Sequence, residues 1–217
     1  MAQVPTGTTF HIASAFGTAK ATTAVTNAAE AVVTSAAHGL ANGDVVEVTS
    51  GWGRLHKRVF EIKGVATDSF TLKGADTTNT DFFPAGLGIG SVRKITDFTQ
   101  IVQVLGAASN GGDPRQVDYR YIESDVDFSI NNGFAATSYT LTMDADSIGT
   151  AGYTALKSLT DVQTDTCMKM LSRNGARIFL PCTVALNESV QLADNQVNSV
   201  SAVFNGKNRI TRYSQAE

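Results

Sequence analysis

Apolar and polar residues alternate in short runs along most of this chain, and glycine, asparagine and proline punctuate the runs at close intervals. A period of two is the mark of a half-buried strand. Thr9 to Ser14 opens the series, with Phe10 and Ile12 between polar neighbours. Ala31–Ser35, Val45–Thr49, Arg58–Lys63 and Ser69–Lys73 follow, with the turn His38–Asp44 before the second of these. The segment Asp81–Gly90, with three glycines and a proline, predicts a long surface connection. Beyond it, Thr99–Leu105 and Gln116–Glu123 read as strands around Gly106–Pro114, a segment dense in turn residues. A last strand is predicted over Gln196–Phe204.

Two Asn-Gly pairs add register to this pattern. Asn132-Gly133 as a type I′ turn pairs Asn131 with Phe134 and builds a hairpin over Tyr121–Asp144. One face of that hairpin collects Ile122, Val126, Phe128 and Ile130 against Tyr139, Leu141 and Met143. The other collects Glu123, Asp125 and Asp127 against Ser138, Thr140 and Thr142. Asn174-Gly175 in the same role pairs Leu171 with Ile178, Met170 with Phe179 and Cys167 with Cys182. Pro181 then implies a free strand edge, since proline cannot donate to a ladder. The period changes once: Thr150 can cap a helix over Thr150–Leu159, where Tyr153, Leu156 and Leu159 recur at helical spacing. Val162–Leu171 could prolong that helix, but the Asn-Gly signal favours a strand there.

The expected fold is therefore mainly β: two packed antiparallel sheets, a sandwich or barrel, with one flanking helix and an inserted small β module. Residues 1–19 and 96–217 would form the body and 20–95 the module.

Composition supports a packed core, with 42% hydrophobic and 17% charged residues in 217. The net charge is −3, which argues against general affinity for phosphate backbones. Charge is uneven: residues 20–95 hold eight basic and seven acidic groups, the rest nine and thirteen. No apolar run is long enough to span a bilayer, and the first residues lack the features of a signal peptide, so a cytosolic protein without membrane insertion is expected. Cys167 and Cys182 are too few for a metal site and read as structural thiols. His11, His38 and His56 have no cysteine cluster near them. Nucleophile-elbow, P-loop and metalloprotease motifs are missing, so neither enzyme chemistry nor a cofactor is expected.

The acids Glu123, Asp125 and Asp127 admit three readings: a solvated strand face, a Ca²⁺ site, or a negative wall that repels DNA phosphates. Residues two apart on a strand are separated by about 7 Å, too far to converge on one ion unaided.

At the level of whole segments the chain resembles the tail tube proteins of long-tailed, non-contractile bacteriophages. The resemblance rests on Pro5–Phe10, Val48–Leu55, Tyr121–Val126, Asp144–Thr150 and Phe204–Arg209, in that order along nearly the whole chain. It implies six copies in a ring, rings stacked into a tube around a tape-measure protein, and end contacts with tail terminator and distal tail proteins. DNA would cross the lumen without specific binding. It also implies a virion component assembled in the host bacterial cytoplasm. With this resemblance, Glu123, Asp125 and Asp127 are expected to face the lumen. The loops Gly106–Pro114 and Asp81–Gly90, with both termini, are expected at ring-to-ring contacts, and the module faces outward or towards a neighbour. The competing expectations are a terminator or distal tail ring and a surface carbohydrate-binding β module. The last would need an exposed aromatic platform, for which Trp52 is the one tryptophan.

Overall fold

The computed structural model describes residues 6–214. Its strands, in chain order, are β1 Thr9–Phe16, β2 Lys20–Thr22, β3 Ala24–Val25, β4 Val32–Thr34, β5 Val45–Ser50, β6 Arg58–Lys63, β7 Ser69–Leu72 and β8 Gly90–Ile101. They continue as β9 Val104–Asn110, β10 Pro114–Tyr119, β11 Phe128–Phe134, β12 Ser138–Asp144, β13 Thr166–Leu171, β14 Arg177–Gln191, β15 Ser199–Gly206 and β16 Thr211–Tyr213. Between β12 and β13 lies helix α1, Ala151–Val162. The protein is mainly β with one flanking helix, as the alternation predicts. Its layers come from one large curled antiparallel sheet rather than from two separately bonded ones, and β10 and β11 form a second, two-stranded sheet.

The main sheet runs β3-β4-β7-β6-β5-β8-β1-β13-β14-β15-β12-β9, so β9 is the last strand at one end. Strand β8 joins its two halves. Gly90–Lys94 pairs with β5, Ile95–Ile101 pairs with β1, and the strand crosses position 95 without a break. One core cluster fills the curl of the body, around Ile12, Leu141, Leu156, Leu180, Val184 and Phe204. A second lies among β4–β8, around Trp52, Phe60, Ile62, Phe70 and Leu72. A third joins them: Val59 of β6 meets Ile95, Cys167, Phe179 and Tyr213.

Helix α1 is where the helical period placed it. Thr150 accepts a hydrogen bond from the Tyr153 amide, and Gln163 ends the helix with a left-handed backbone at φ 54°. The segment after it is strand β13, not more helix.

Three register expectations fail. Asn132-Gly133 is no hairpin turn; it lies inside β11, whose partner is β10. Gln116 faces Asn131 and Pro114 faces Phe134, so Asn132 and Gly133 together oppose Arg115. This is a β-bulge, and Gly133 supplies its positive φ of 76°. Strand β12 pairs instead with β9 and β15, so Leu141 and Met143 enter the body core without Ile122, Val126 or Phe128. Asn174-Gly175 does sit in a hairpin turn, but the loop has three residues. Gly175 N–H donates to Ser172, and Ser172 N–H donates to Ala176, with Gly175 at φ 82°. A type I turn followed by a left-handed glycine has this form, and it moves the register by one. Cys167 therefore faces Pro181, not Cys182, and the two thiols belong to different core clusters on opposite faces.

Strand Thr99–Leu105 is also interrupted. Gln103 adopts φ 57°, ending β8 and starting β9, and β9 then runs through most of the expected loop Gly106–Pro114. Pro181 sits where β14 passes from one partner, β16 at Arg177–Phe179, to another, β15 from Cys182 onward, so its missing donor falls in the gap.

Candidate assembly site

The β9–β12 ladder continues outward as β10–β11. After Asn110 pairs with Ser138, the backbone loosens at Gly111–Asp113 and Ala135–Thr137, where Ala135 N–H donates to Asp113. The ribbon then resumes at Pro114 and Phe134. Gly111 is required at the joint. Its φ is 75°, and a Cβ there would meet the Ala136 carbonyl. Beyond the joint the ribbon is an arm that meets its own subunit at its base, where Phe134 lies under Arg209, and whose Val117–Ile130 face stays exposed.

The arm is binary patterned. Val117 pairs with Ile130 and Tyr119 with Phe128, so these four share one face. Gln116, Asp118, Ser129 and Asn131 share the other. Tyr119, Tyr121 and Phe128 cluster with ring centroids 5.5 to 5.9 Å apart. The apolar face is nevertheless exposed, Val117 at 49% and Ile130 at 55%. An isolated two-stranded hairpin is marginal in water, so this one presents a surface awaiting a partner.

The loop Arg120–Asp127 closes the arm. It holds all three acids of the expected lumen wall, which the structure thus places on a loop and not on a strand face. Ile122, next to Glu123, is fully exposed. Arg120 approaches Asp127 at 3.8 Å, with both side chains well exposed. Glu123, Asp125 and Asp127 do not face Ser138, Thr140 and Thr142 as expected, because β12 pairs with β9 and β15 and that hairpin does not form.

At the other end of the arm lies a cleft of about 850 Å³. Its apolar wall includes Phe134, Tyr139 and Ile210, and its charged groups are Arg115, Lys207 and Arg209, with no carboxylate in the lining. The Arg209 guanidinium stacks 4.8 Å from the Phe134 ring centre. Gly206 lets the β15 end approach β12 closely: its N–H donates to Thr137, and a Cβ would lie 2.6 Å from that carbonyl oxygen.

The other candidates from the sequence resolve differently. Trp52 is 2% exposed, its indole N–H donates to the Pro84 carbonyl, and Phe83 packs edge-on at 5.3 Å; it is core, and no platform. The loop Asp81–Gly90 exposes Phe82, Leu87 and Ile89 around that anchor. Burial pushes the pKa of both thiols up, Cys182 to about 12, which disfavours the thiolate form. His38 accepts from the Leu40 amide and bonds the Ala66 carbonyl, a turn-holding role. Pro5 and the outermost termini lie outside the described residues. Sequence reasoning missed the cleft altogether: its cations come from β10 and from the segment after β15, and only the fold joins them. No helix among the described residues is long and apolar enough to cross a membrane.

No curated protein matches the chain. The family described as phage tail tube protein matches residues 50–215, which takes in β6 to β16, the arm and the cleft. A ribbon that leaves the body with an uncovered apolar face is what a subunit of an assembly would carry, and the match gives that assembly its class: this chain belongs to the phage tail tube protein family.

Proposed function

We propose that this protein builds the wall of a phage tail tube as six-membered rings stacked on one another, through which the genome passes into the host. As a member of its family the protein is a structural component of the virion that assembles into a tube with other tail proteins. The finer reading is supported by one observation above all. Among the described residues, the apolar face of the arm β10–β11 is uncovered and the terminal strand β9 has a strand neighbour on one side alone, on a chain whose family forms a tube. A head-to-tail interface closes into a ring when its rotation closes, and stacked rings cover the remaining surfaces. The tape-measure protein inside, with terminator and distal tail proteins at the ends, completes the proposed set of partners. The module 20–95 faces outward or towards a neighbour in this reading, and assembly takes place in the host cytoplasm.

Negative-stain electron microscopy of the purified protein, with analytical ultracentrifugation over a concentration series, tests it. Hollow tubes of stacked rings support the proposal. Discrete rings that never stack would move the assignment to a terminator or distal tail part. A second placement concerns the acids. The net negative charge favours a lumen that does not grip DNA, with Glu123, Asp125 and Asp127 on its wall. Their position on an exposed loop favours a contact between copies instead. Replacing all three by lysine separates the two: intact tubes with slowed ejection mean lumen, and lost assembly means contact.

A further inference from the structure

The acidic tip and the basic cleft stand at opposite ends of one hairpin. Residues 116–119 of β10 separate Arg115 of the cleft from Arg120 of the tip, a span of roughly 17 Å at the rise of an extended strand. The tip therefore cannot reach the cleft of its own subunit. Yet the two are complementary. The tip offers Glu123, Asp125 and Asp127 around the exposed Ile122 and Val126, with Arg120 as its one cation. The cleft offers Arg115, Lys207 and Arg209 around Phe134 and Ile210. Lys207 is held only loosely at home, 3.7 Å from Asp165, and remains available.

We propose that the arm tip of one copy docks in the cleft of a second copy of this chain, acids on cations and Ile122 on the apolar wall, with the Val117–Ile130 face of the arm covered in the same contact. The occupant is a second copy because the complementary halves lie on one molecule and are kept apart by its own strand length. Such a contact is heterologous: each subunit gives a tip and receives one, so the link repeats and displaces each copy by about the length of the arm. It rests on the proposed self-assembly and specifies the surface that carries it. Opposite charges of this kind fix register and partner choice, and they weaken with salt.

The test is charge exchange in the full-length protein. One variant carries E123K, D125K and D127K. The other carries R115E, K207E and R209E. Each alone has like charges on tip and cleft. Each is expected to stay folded by circular dichroism and to remain unassembled at a concentration at least tenfold above that at which the wild type assembles. Mixing the two restores a matching pair at every junction, since a lysine tip meets a glutamate cleft and an acidic tip meets a basic one. Sedimentation and microscopy should then recover alternating assemblies, and wild-type assembly should weaken between low and high salt. Variants that assemble singly like the wild type would overturn the docking while leaving the tube reading intact. So would singly defective variants whose mixture stays unassembled. A wild-type protein that never associates would sink both.

Discussion

Gly152 stands where α1 crosses the end of β8. A Cβ there would lie 2.4 Å from the Gln100 carbonyl oxygen and 2.9 Å from the Ile101 Cα, both backbone atoms that cannot turn aside. Gly152→Val gains only a few tenths of a kcal/mol in helix propensity. Overpacking against fixed backbone costs about 1–3 kcal/mol, so the steric effect wins and the melting temperature falls. An unchanged thermal melt would mean that the helix can slide away from β8. The same residue type shows why parts of the sequence misled. A left-handed glycine is equally at home in a two-residue turn, a three-residue turn or a bulge. Gly133 serves a bulge and Gly175 a three-residue turn. The dipeptide reports a backbone conformation, and the ladder around it decides what that conformation does. The cysteine pairing failed for this reason alone, through one residue of slip.

Elements with a covered face were legible, because a core imposes its period on the sequence. Strand β6 falls on its predicted residues, and α1 is marked by the Thr150 cap and the inward Tyr153 and Leu156. The arm was not legible. Its alternation of Val117, Tyr119, Phe128 and Ile130 is real, but the surface that the pattern is written for lies outside the subunit. The sequence could therefore be fitted to a core strand, β12, that the arm never meets. This makes a prediction about the arm as an element. Replacing residues 115–133 by a short Gly-Ser turn removes almost no packed surface from the body. The melting temperature should stay within about 2 °C, the equivalent of less than ~1 kcal/mol for a chain of this size. Tube assembly, seen by microscopy, should be lost. A large fall in melting temperature would show that the arm stabilises its own subunit, contrary to its exposure. Thr150→Ala, by contrast, leaves one amide of α1 without its cap and should cost about 1 kcal/mol in urea unfolding with assembly preserved.

At the scale of the molecule, the two halves of the sheet are joined by buried polar groups as well as by β8. Glu61 of β6 pairs with Arg177 of β14 at 3.0 Å, and its amide donates to the Tyr213 hydroxyl, which in turn donates to the Lys73 carbonyl. Asn208 donates to the Gly53 and His56 carbonyls, and Arg58 to the Thr211 hydroxyl. These contacts link β6 and its neighbours to β14, to β16 and to Asn208 before it, so the halves are expected to unfold in one transition. Removing one partner of a buried ion pair costs about 3–5 kcal/mol, and Arg177 is partly open to solvent, so Arg177→Met should fall at or below the lower end of that range. Its pH dependence identifies the cause. Burial raises the Glu61 pKa above its unfolded value, against the opposing pull of Arg177, Lys73 and Lys169. The folded state thus holds that proton more tightly. The carboxyl favours folding below its unfolded pKa, and that contribution is lost as pH rises through the folded pKa. Without Arg177 the folded pKa rises further and the loss grows. The deficit of Arg177→Met relative to wild type should be largest near neutral pH and shrink as pH is lowered towards about 4.3, the ordinary glutamate value. Urea titrations at several pH values measure it. A deficit that does not change with pH would mean that lost packing of the arginine stem, and not an uncompensated charge on Glu61, is what the substitution removes.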